Sequence, residues 1–148
     1  MEQTYYLIIM GALLLEYALS TISSMLNMNS IMEKVPDGFQ DHYDDEKYAK
    51  SQAYLRDNTR FGLISGTFSL GLTLVVIHTG LFGILDTFVR GSAVNPIMAG
   101  LMFFGILFIV NDILNLPFSI YGTFVIEERY GFNKTTPKTF ILDKLKGY

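Results

Sequence analysis

The sequence predicts an all-α integral membrane protein with three transmembrane helices and an interfacial helix in the first connection. Two observations carry this reading. Asp, Glu, Lys and Arg are absent from residues 3–15, 17–32, 61–85 and 91–111, whereas a water-facing helix needs a wet side with a charge every few residues. Runs of about 20 apolar residues are long enough to cross a hydrocarbon core about 30 Å thick. Half of the 148 residues are hydrophobic and the mean hydropathy is +0.33, in keeping with spans rather than a soluble core. There is no cysteine, which excludes disulfides and thiolate metal sites. The net charge of −3 and the lack of a basic stripe argue against a nucleic-acid partner. The opening MEQTYY carries no Lys or Arg, unlike the basic start of a cleaved secretory signal. The chain reads as one membrane domain over 1–148.

Span one is expected at about 5–28. Its only charge is Glu16, and Ala12, Glu16, Ser20, Ser23 and Asn27 fall at three- and four-residue spacing on one helix side. A carboxyl near the bilayer centre costs about 2.5–3.5 kcal/mol on insertion scales, so this side should face other helices or a watery cavity. The connection 29–60 opens with Val35-Pro36-Asp37-Gly38, a turn sequence. From Asp44 or Asp45, which can cap a helix, the pattern predicts a helix over 45–57, with Glu46 and Lys50 as an i,i+4 pair. This helix lies near the membrane interface and is possible to join to span two, expected at 61–85. There, Gly62 and Gly66 form a G-x-x-x-G, which lets helix backbones approach closely in lipid, and His78 is the titratable side chain. After a short connection over 86–95, span three is expected at 96–126. Asn111, Asp112 and Asn115 interrupt it, and Pro117, which lacks the N–H that would bond back to Ile113, marks a bend.

The basic residues set the orientation. Lys34, Lys47, Lys50, Arg56 and Arg60 lie between spans one and two, and Arg129, Lys134, Lys138, Lys144 and Lys146 follow span three. Arg90 alone lies between spans two and three. The positive-inside rule then puts the N-terminus outside, and the connection 29–60 and the tail 127–148 in the cytoplasm.

Asn111, Asn115, Ser119 and Gly122 form a line on span three with Asp112 beside it. The line reads either as interhelical hydrogen bonding or as a cavity wall. Glu16 and Asp112 come at similar depth; if they face each other, at least one should be protonated, since like charges in a dry site do not both ionise. His78 has no partner at metal-ligand spacing, no H-E-x-x-H occurs, and Asn133-Lys134-Thr135 is a sequon on the inner side. The residues by themselves compose no complete catalytic site.

Two segments, EKYAKSQAYLRDNTRFGLISGTFSL (46–70) and LPFSIYGTFVIEERYGFNKTTPKTFILDKLKG (116–147), resemble the type I CAAX prenyl proteases, integral-membrane zinc metalloendopeptidases. The resemblance implies a longer protein whose further transmembrane helices surround an intramembrane chamber where peptides are cleaved. It implies zinc held by H-E-x-x-H and a later glutamate, downstream of this region. Tyr148 comes before that motif, so no zinc ligand or catalytic base is carried over, no cofactor belongs to this chain itself, and the chain alone should be inactive. What carries over is Glu127, Glu128, Arg129, Gly131, Phe132 and Asn133, the family's motif after the third span. Here an ion-pair network of Glu127, Glu128 and Arg129 would hold a turn at Gly131, suited to a left-handed cap, with Asn133 bonding backbone. The implied partners are the bilayer, the remaining helices of the protease or further copies of this chain, and a peptide substrate for the whole enzyme. The alternatives are a small membrane assembly protein using Gly62 and Gly66, or a proton- or solute-handling subunit using Glu16, His78 and Asp112.

Overall fold

A computed structural model describes residues 2–32, 34–35, 44–93 and 95–148. Five helices follow one another: α1 (Glu2–Asn29), α2 (Asp45–His78), α3 (Leu81–Ser92), α4 (Pro96–Tyr121), continued by a π-helical segment over Gly122–Glu127, and α5 (Pro137–Gly147). No strand occurs among the described residues. Pro36, Asp37, Gly38 and His42, and with them most of the expected turn, lie outside these residues.

Three of the helices, Gln3–Asn29 within α1, Asp45–His78 and Pro96–Glu127, are long and apolar enough to cross a membrane. The accessible surface is 11122 Å², against about 7,600 Å² for a compact soluble protein of this mass. Among the described residues the buried apolar side chains are Val35, Val89, Ala99 and Ile126, while Leu7, Ile8, Leu15 and Leu19 on α1 stand exposed. Helices that show leucine and isoleucine so freely are built for lipid and for neighbouring helices. The chain is a multi-pass integral membrane protein.

The helix ends follow from local chemistry. Asp44 caps α2, its Oδ1 accepting from the N–H of Glu46 at 2.9 Å and of Lys47 at 3.3 Å. Asn95 caps α4 through the N–H of Met98 at 2.9 Å, with Pro96 in the first turn. Thr136 caps α5 in the same way, with Pro137 behind it.

The interfacial helix and span two are one helix of 34 residues, about 51 Å long. Its far end differs from the expected 61–85. The Thr79 hydroxyl and N–H both bond back to the Val75 carbonyl, at 2.7 and 2.9 Å, and Gly80 turns left-handed at φ 71°. α3 begins at once, over residues expected as the end of span two and most of the connection 86–95. A turn made by one glycine leaves the surrounding apolar composition untouched, so the charge-free run does not reveal it. α3 buries Val89 completely and pairs Asp86 with Arg90 at 2.8 Å on its exposed side.

α4 runs through Pro117, and the departure from α geometry comes at Gly122–Glu127. A π segment inserts extra backbone into the turn and rotates all that follows. Three hydroxyls of α2 bond back within the helix: Ser65 bonds the Gly62 carbonyl at 3.1 Å, Thr67 that of Leu63 at 2.7 Å, and Thr73 that of Ser69 at 2.9 Å. Back-bonding of this kind makes polar residues tolerable in lipid.

α1 packs along α2, which packs on the end of α4 and its π segment; α3 lies against α4 and α2. Polar bonds tie α1 to α2 at two levels, Tyr6 to His78 Nδ1 at 3.1 Å and Tyr17 to Thr67 at 2.5 Å. Between α1 and α2 lies a cleft of about 510 Å³ lined by Glu16, Ser20, Asn58, Gly62, Gly66 and Thr73, among others. Gly62 and Gly66, expected to allow close helix approach, line this cleft, and among the described residues a Cβ at either would meet nothing within 4 Å. The small residues leave space instead of closing it.

Open space of this kind has a measurable consequence. Gly62→Ala and Gly66→Ala should leave the chain as stable as before, or raise its thermal midpoint in detergent, since Ala gains about 0.8–1.0 kcal/mol of helix propensity over Gly. A clear loss of stability would restore close helix contact there.

Candidate functional site

The site is assembled where the third span leaves the membrane. The last turn after the π segment ends in a paired-hydrogen-bond cap: the Phe132 N–H bonds the Glu127 carbonyl at 2.8 Å and the Gly131 N–H bonds that of Glu128 at 3.0 Å. This is the Schellman arrangement, with Gly131 in the left-handed region at φ 70°. Asn133 fastens the exit. Its Nδ2 donates to Glu128 Oε2 at 2.9 Å and its Oδ1 accepts from the Thr135 N–H at 2.7 Å. The sequon asparagine is thus engaged at both ends of its amide.

The ion pair at this corner is not internal to it. Arg129 Nη1 donates to Asp57 Oδ2 at 3.0 Å, and the Tyr130 hydroxyl donates to the same oxygen at 2.7 Å. Asp57 belongs to the first stretch of α2, expected as the interfacial helix over 45–57. Tyr54, one turn earlier, meets the rings of Tyr130 at 5.6 Å and Phe132 at 4.8 Å, both edge-on. One turn further back, Lys50 Nζ lies 3.5 Å from where a Cβ on Gly131 would be. One turn inward, Phe61 packs on Phe118 at 6.0 Å and Tyr121 at 5.0 Å, and Phe68 on Phe118 at 5.1 Å. Residues 50, 54, 57, 61 and 68 share one helix side by their three-, four- and seven-residue steps. The corner is read by that stripe.

Arg129, just after the π segment, reaches across to Asp57 of α2, whereas a pairing with Glu127 or Glu128 was expected from their adjacency. Asp57 beside it holds the Tyr130 hydroxyl above its ordinary range, chiefly through the hydrogen bond, with burial and the carboxylate charge adding to it.

The intramembrane polar residues separate into three places. Asn115 Nδ2 bonds the Asn111 carbonyl at 2.7 Å and its Oδ1 at 3.1 Å, both within α4. Gly122, on the same line, faces Phe61. Asp112 accepts from Lys144 Nζ at 2.5 Å and from the Tyr148 hydroxyl. Glu16 lines the cleft between α1 and α2 and, among the described residues, has no hydrogen-bond or ion-pair partner. Glu16 and Asp112 therefore do not face each other; the tail supplies the partners of Asp112. His78 is engaged by Tyr6. Among the described residues no three His, Cys, Asp or Glu converge as a metal site.

Sequence reasoning missed Asp57, Tyr54 and Tyr130 as parts of the corner, and Lys144 and Tyr148 as partners of Asp112. The stripe spacing of 50, 54, 57 and 61 was the available signal for the first group.

Comparison with known proteins bears on this corner. A family model described as "CAAX prenyl protease N-terminal, five membrane helices" matches residues 24–148. The chain is 36% identical over 129 residues to the probable CAAX prenyl protease 1 of Schizosaccharomyces pombe, covering 78% of this chain and 27% of that protein. It is 30% identical over 151 residues to CAAX prenyl protease 1 of Saccharomyces cerevisiae, covering 95% and 33%. Its structure is similar to the crystal structure of S. mikatae Ste24p with a TM-score of 0.85 and 30% identity, over 97% of this chain and 35% of that one. The chain spans about a third or less of the length of the curated relatives it matches.

The shared acceptor Asp57 makes the corner sensitive to pH in one direction. A tyrosine whose pKa is higher folded than unfolded adds stability at pH values below its unfolded pKa and loses it as the pH rises through the folded one. The difference in alkaline absorbance titration between the chain and its Tyr130→Phe variant should show a tyrosine ionising above the usual value. Asp57→Asn should bring that transition down; an ordinary transition in the unsubstituted chain would show that the bond is not made.

Proposed function

Since this chain belongs to the CAAX prenyl protease family and covers its N-terminal membrane region, we propose that it serves as part of the chamber wall of a membrane zinc metalloendopeptidase. The observation that carries the reading is the corner at Glu127, Glu128, Arg129, Gly131, Phe132 and Asn133, capped at Gly131 and braced on Asp57. In the whole protease this brace would fix the direction in which the chain leaves span three, and so the placing of the remaining helices. No described residues fit the zinc implied by the family, so no step is assigned through it. Peptide hydrolysis belongs to the whole enzyme, for which a peptide is the proposed substrate, and this chain alone would be inactive. The proposed partners are the remaining helices of the protease, or further copies of this chain where those are absent.

The single domain over 1–148 would have its N-terminus outside and its C-terminus in the cytoplasm. Support comes from the ten basic residues in the first connection and the tail against Arg90 alone on the other side. The open, partly polar cleft at Glu16, Gly62 and Gly66 suits a wall that is wet on one side. A proton- or solute-handling role gains no support, because Glu16, His78 and Asp112 line no common path among the described residues. Nor does an assembly role through Gly62 and Gly66, which lie in the cleft between α1 and α2.

Two outcomes test the reading. In an intact protease carrying this region, Arg129→Ala and Asp57→Ala should each lower peptide turnover at equal expression, and the double variant should be no worse than the poorer single one, since both remove one interaction. Turnover unchanged in both would remove the brace. For orientation, a cysteine at Lys138 should react with an impermeant reagent from the cytoplasmic side and one at Ser92 from the opposite side; the reverse pattern would invert the topology.

A further inference from the structure

Glu16 lies at a depth that two helices define together. Tyr17 beside it bonds Thr67 at 2.5 Å, and Thr67 comes seven residues after Arg60, where the charge-free run of α2 begins. Seven residues amount to about 10 Å of helix, so the carboxyl stands well within a hydrocarbon core about 30 Å thick. A carboxyl at such depth turns to a partner or a cavity. Glu16 has the cavity, the cleft of about 510 Å³ between α1 and α2.

The cleft is long and narrow. Its lining runs along α2 from Asn58 to Thr73, about 22 Å of helix. Asn58 precedes Arg60, so this end of the cleft reaches the membrane surface. A volume of about 510 Å³ spread over that length leaves a cross-section of about 23 Å², against roughly 80 Å² for a helix about 10 Å across. A long side chain on an extended peptide fits such a slot, and a helix does not.

The chemistry of the walls selects the occupant. Among the described residues the side chains of Asn58, Ser20, Ser24 and Ser69, all on the lining, make no hydrogen bond, whereas Ser65, Thr67 and Thr73 bond back into α2. The open groups offer donors and acceptors along the slot. Glu16 is the single charge of the lining, with no Lys, Arg or His beside it. One negative charge among hydroxyls is complementary to a cation and a poor setting for an acyl chain. A lipid headgroup stops at the surface, about 10 Å short of Glu16.

Resting on the reading of this chain as chamber wall, we propose that the cleft between α1 and α2 is a subsite for a basic side chain of the peptide substrate. Glu16 receives the ammonium of a lysine or the guanidinium of an arginine that enters along the slot. It thereby sets specificity: it selects peptides carrying a positive charge at one position and fixes how they lie along the wall.

The test uses an intact protease carrying this region and a series of peptides in which lysine replaces norleucine at one position at a time. At one position lysine should be preferred, and Glu16→Gln should lower the ratio of kcat/KM for lysine over norleucine there by about tenfold or more, the change lying in KM. Glu16→Lys should turn the preference towards glutamate. If the Glu16 variants fail to accumulate, Ser20→Lys, which puts a competing ammonium one turn away, should lower the same ratio. With a thiol-reactive group in place of that lysine, the peptide should label Ser20→Cys and not Leu19→Cys, which is exposed outside the cleft. A ratio that neither Glu16→Gln nor Ser20→Lys alters would overturn the proposal, and so would a loss shared equally by the lysine and norleucine peptides, which would assign Glu16 to a cation of the protease itself. Equal labelling at 19 and 20 would also overturn it. None of these results touches the wall reading, which falls separately if Arg129→Ala and Asp57→Ala both leave turnover unchanged.

Discussion

One carboxylate oxygen, Asp57 Oδ2, is the point where the two longest helices are tied together. It accepts both the Arg129 guanidinium and the Tyr130 hydroxyl, residues more than seventy positions away. Inside lipid, helices gain little from hydrophobic attraction to one another, so packing and polar bonds decide how they sit. At the membrane surface a charged pair gains more than it would in mid-bilayer, because neither member is fully stripped of water. The exposed guanidinium makes this a modest bond by itself. It is the coincidence of the pair with the Tyr54 rings and the Gly131 cap that fixes the corner.

The cap and the brace depend on each other. The π segment at Gly122–Glu127 turns the helix end so that Arg129 and Tyr130 point at α2. The left-handed Gly131 then sends the chain away over Lys50. A side chain at residue 131 would have room, so the conformation and not the space demands glycine. Asn133 ties the exit to Glu128 and to the next backbone N–H, which leaves the segment little freedom before α5 begins. This bond-dense run lies within the residues that the family model matches.

The three spans and the cap glycine were legible because lipid and left-handed backbone impose composition: charge is excluded from one, and a Cβ is disfavoured in the other. The end of α2 was not legible, since Gly80 reverses the chain inside an unbroken apolar run. The expected interlock of Glu127, Glu128 and Arg129 failed for a related reason. Adjacent charges share a turn but point in different directions, and the partner was fixed by a tertiary approach that sequence spacing shows only from the α2 side. The helix over 45–57 was recognised near the membrane interface, but its spacing alone did not show that Tyr54 and Asp57 meet the segment after span three.

The polar residues of the spans separate by where their partners lie. The Asn115 amide donates back to Asn111, and Ser65, Thr67 and Thr73 of α2 bond carbonyls one turn back, so these donors are met within their own helices. Asp112 is met by Lys144 and Tyr148 from the tail. Glu16 is different again. It opens on a cleft whose walls carry hydroxyls, an amide and glycine but no Lys, Arg or His, so the wall itself offers it no cation. A carboxyl in that setting is tolerated where water or a donor from another segment reaches it. The side of α1 bearing Glu16 is accordingly the one least suited to lipid, and the leucines and isoleucines elsewhere on that helix are the ones suited to meet it.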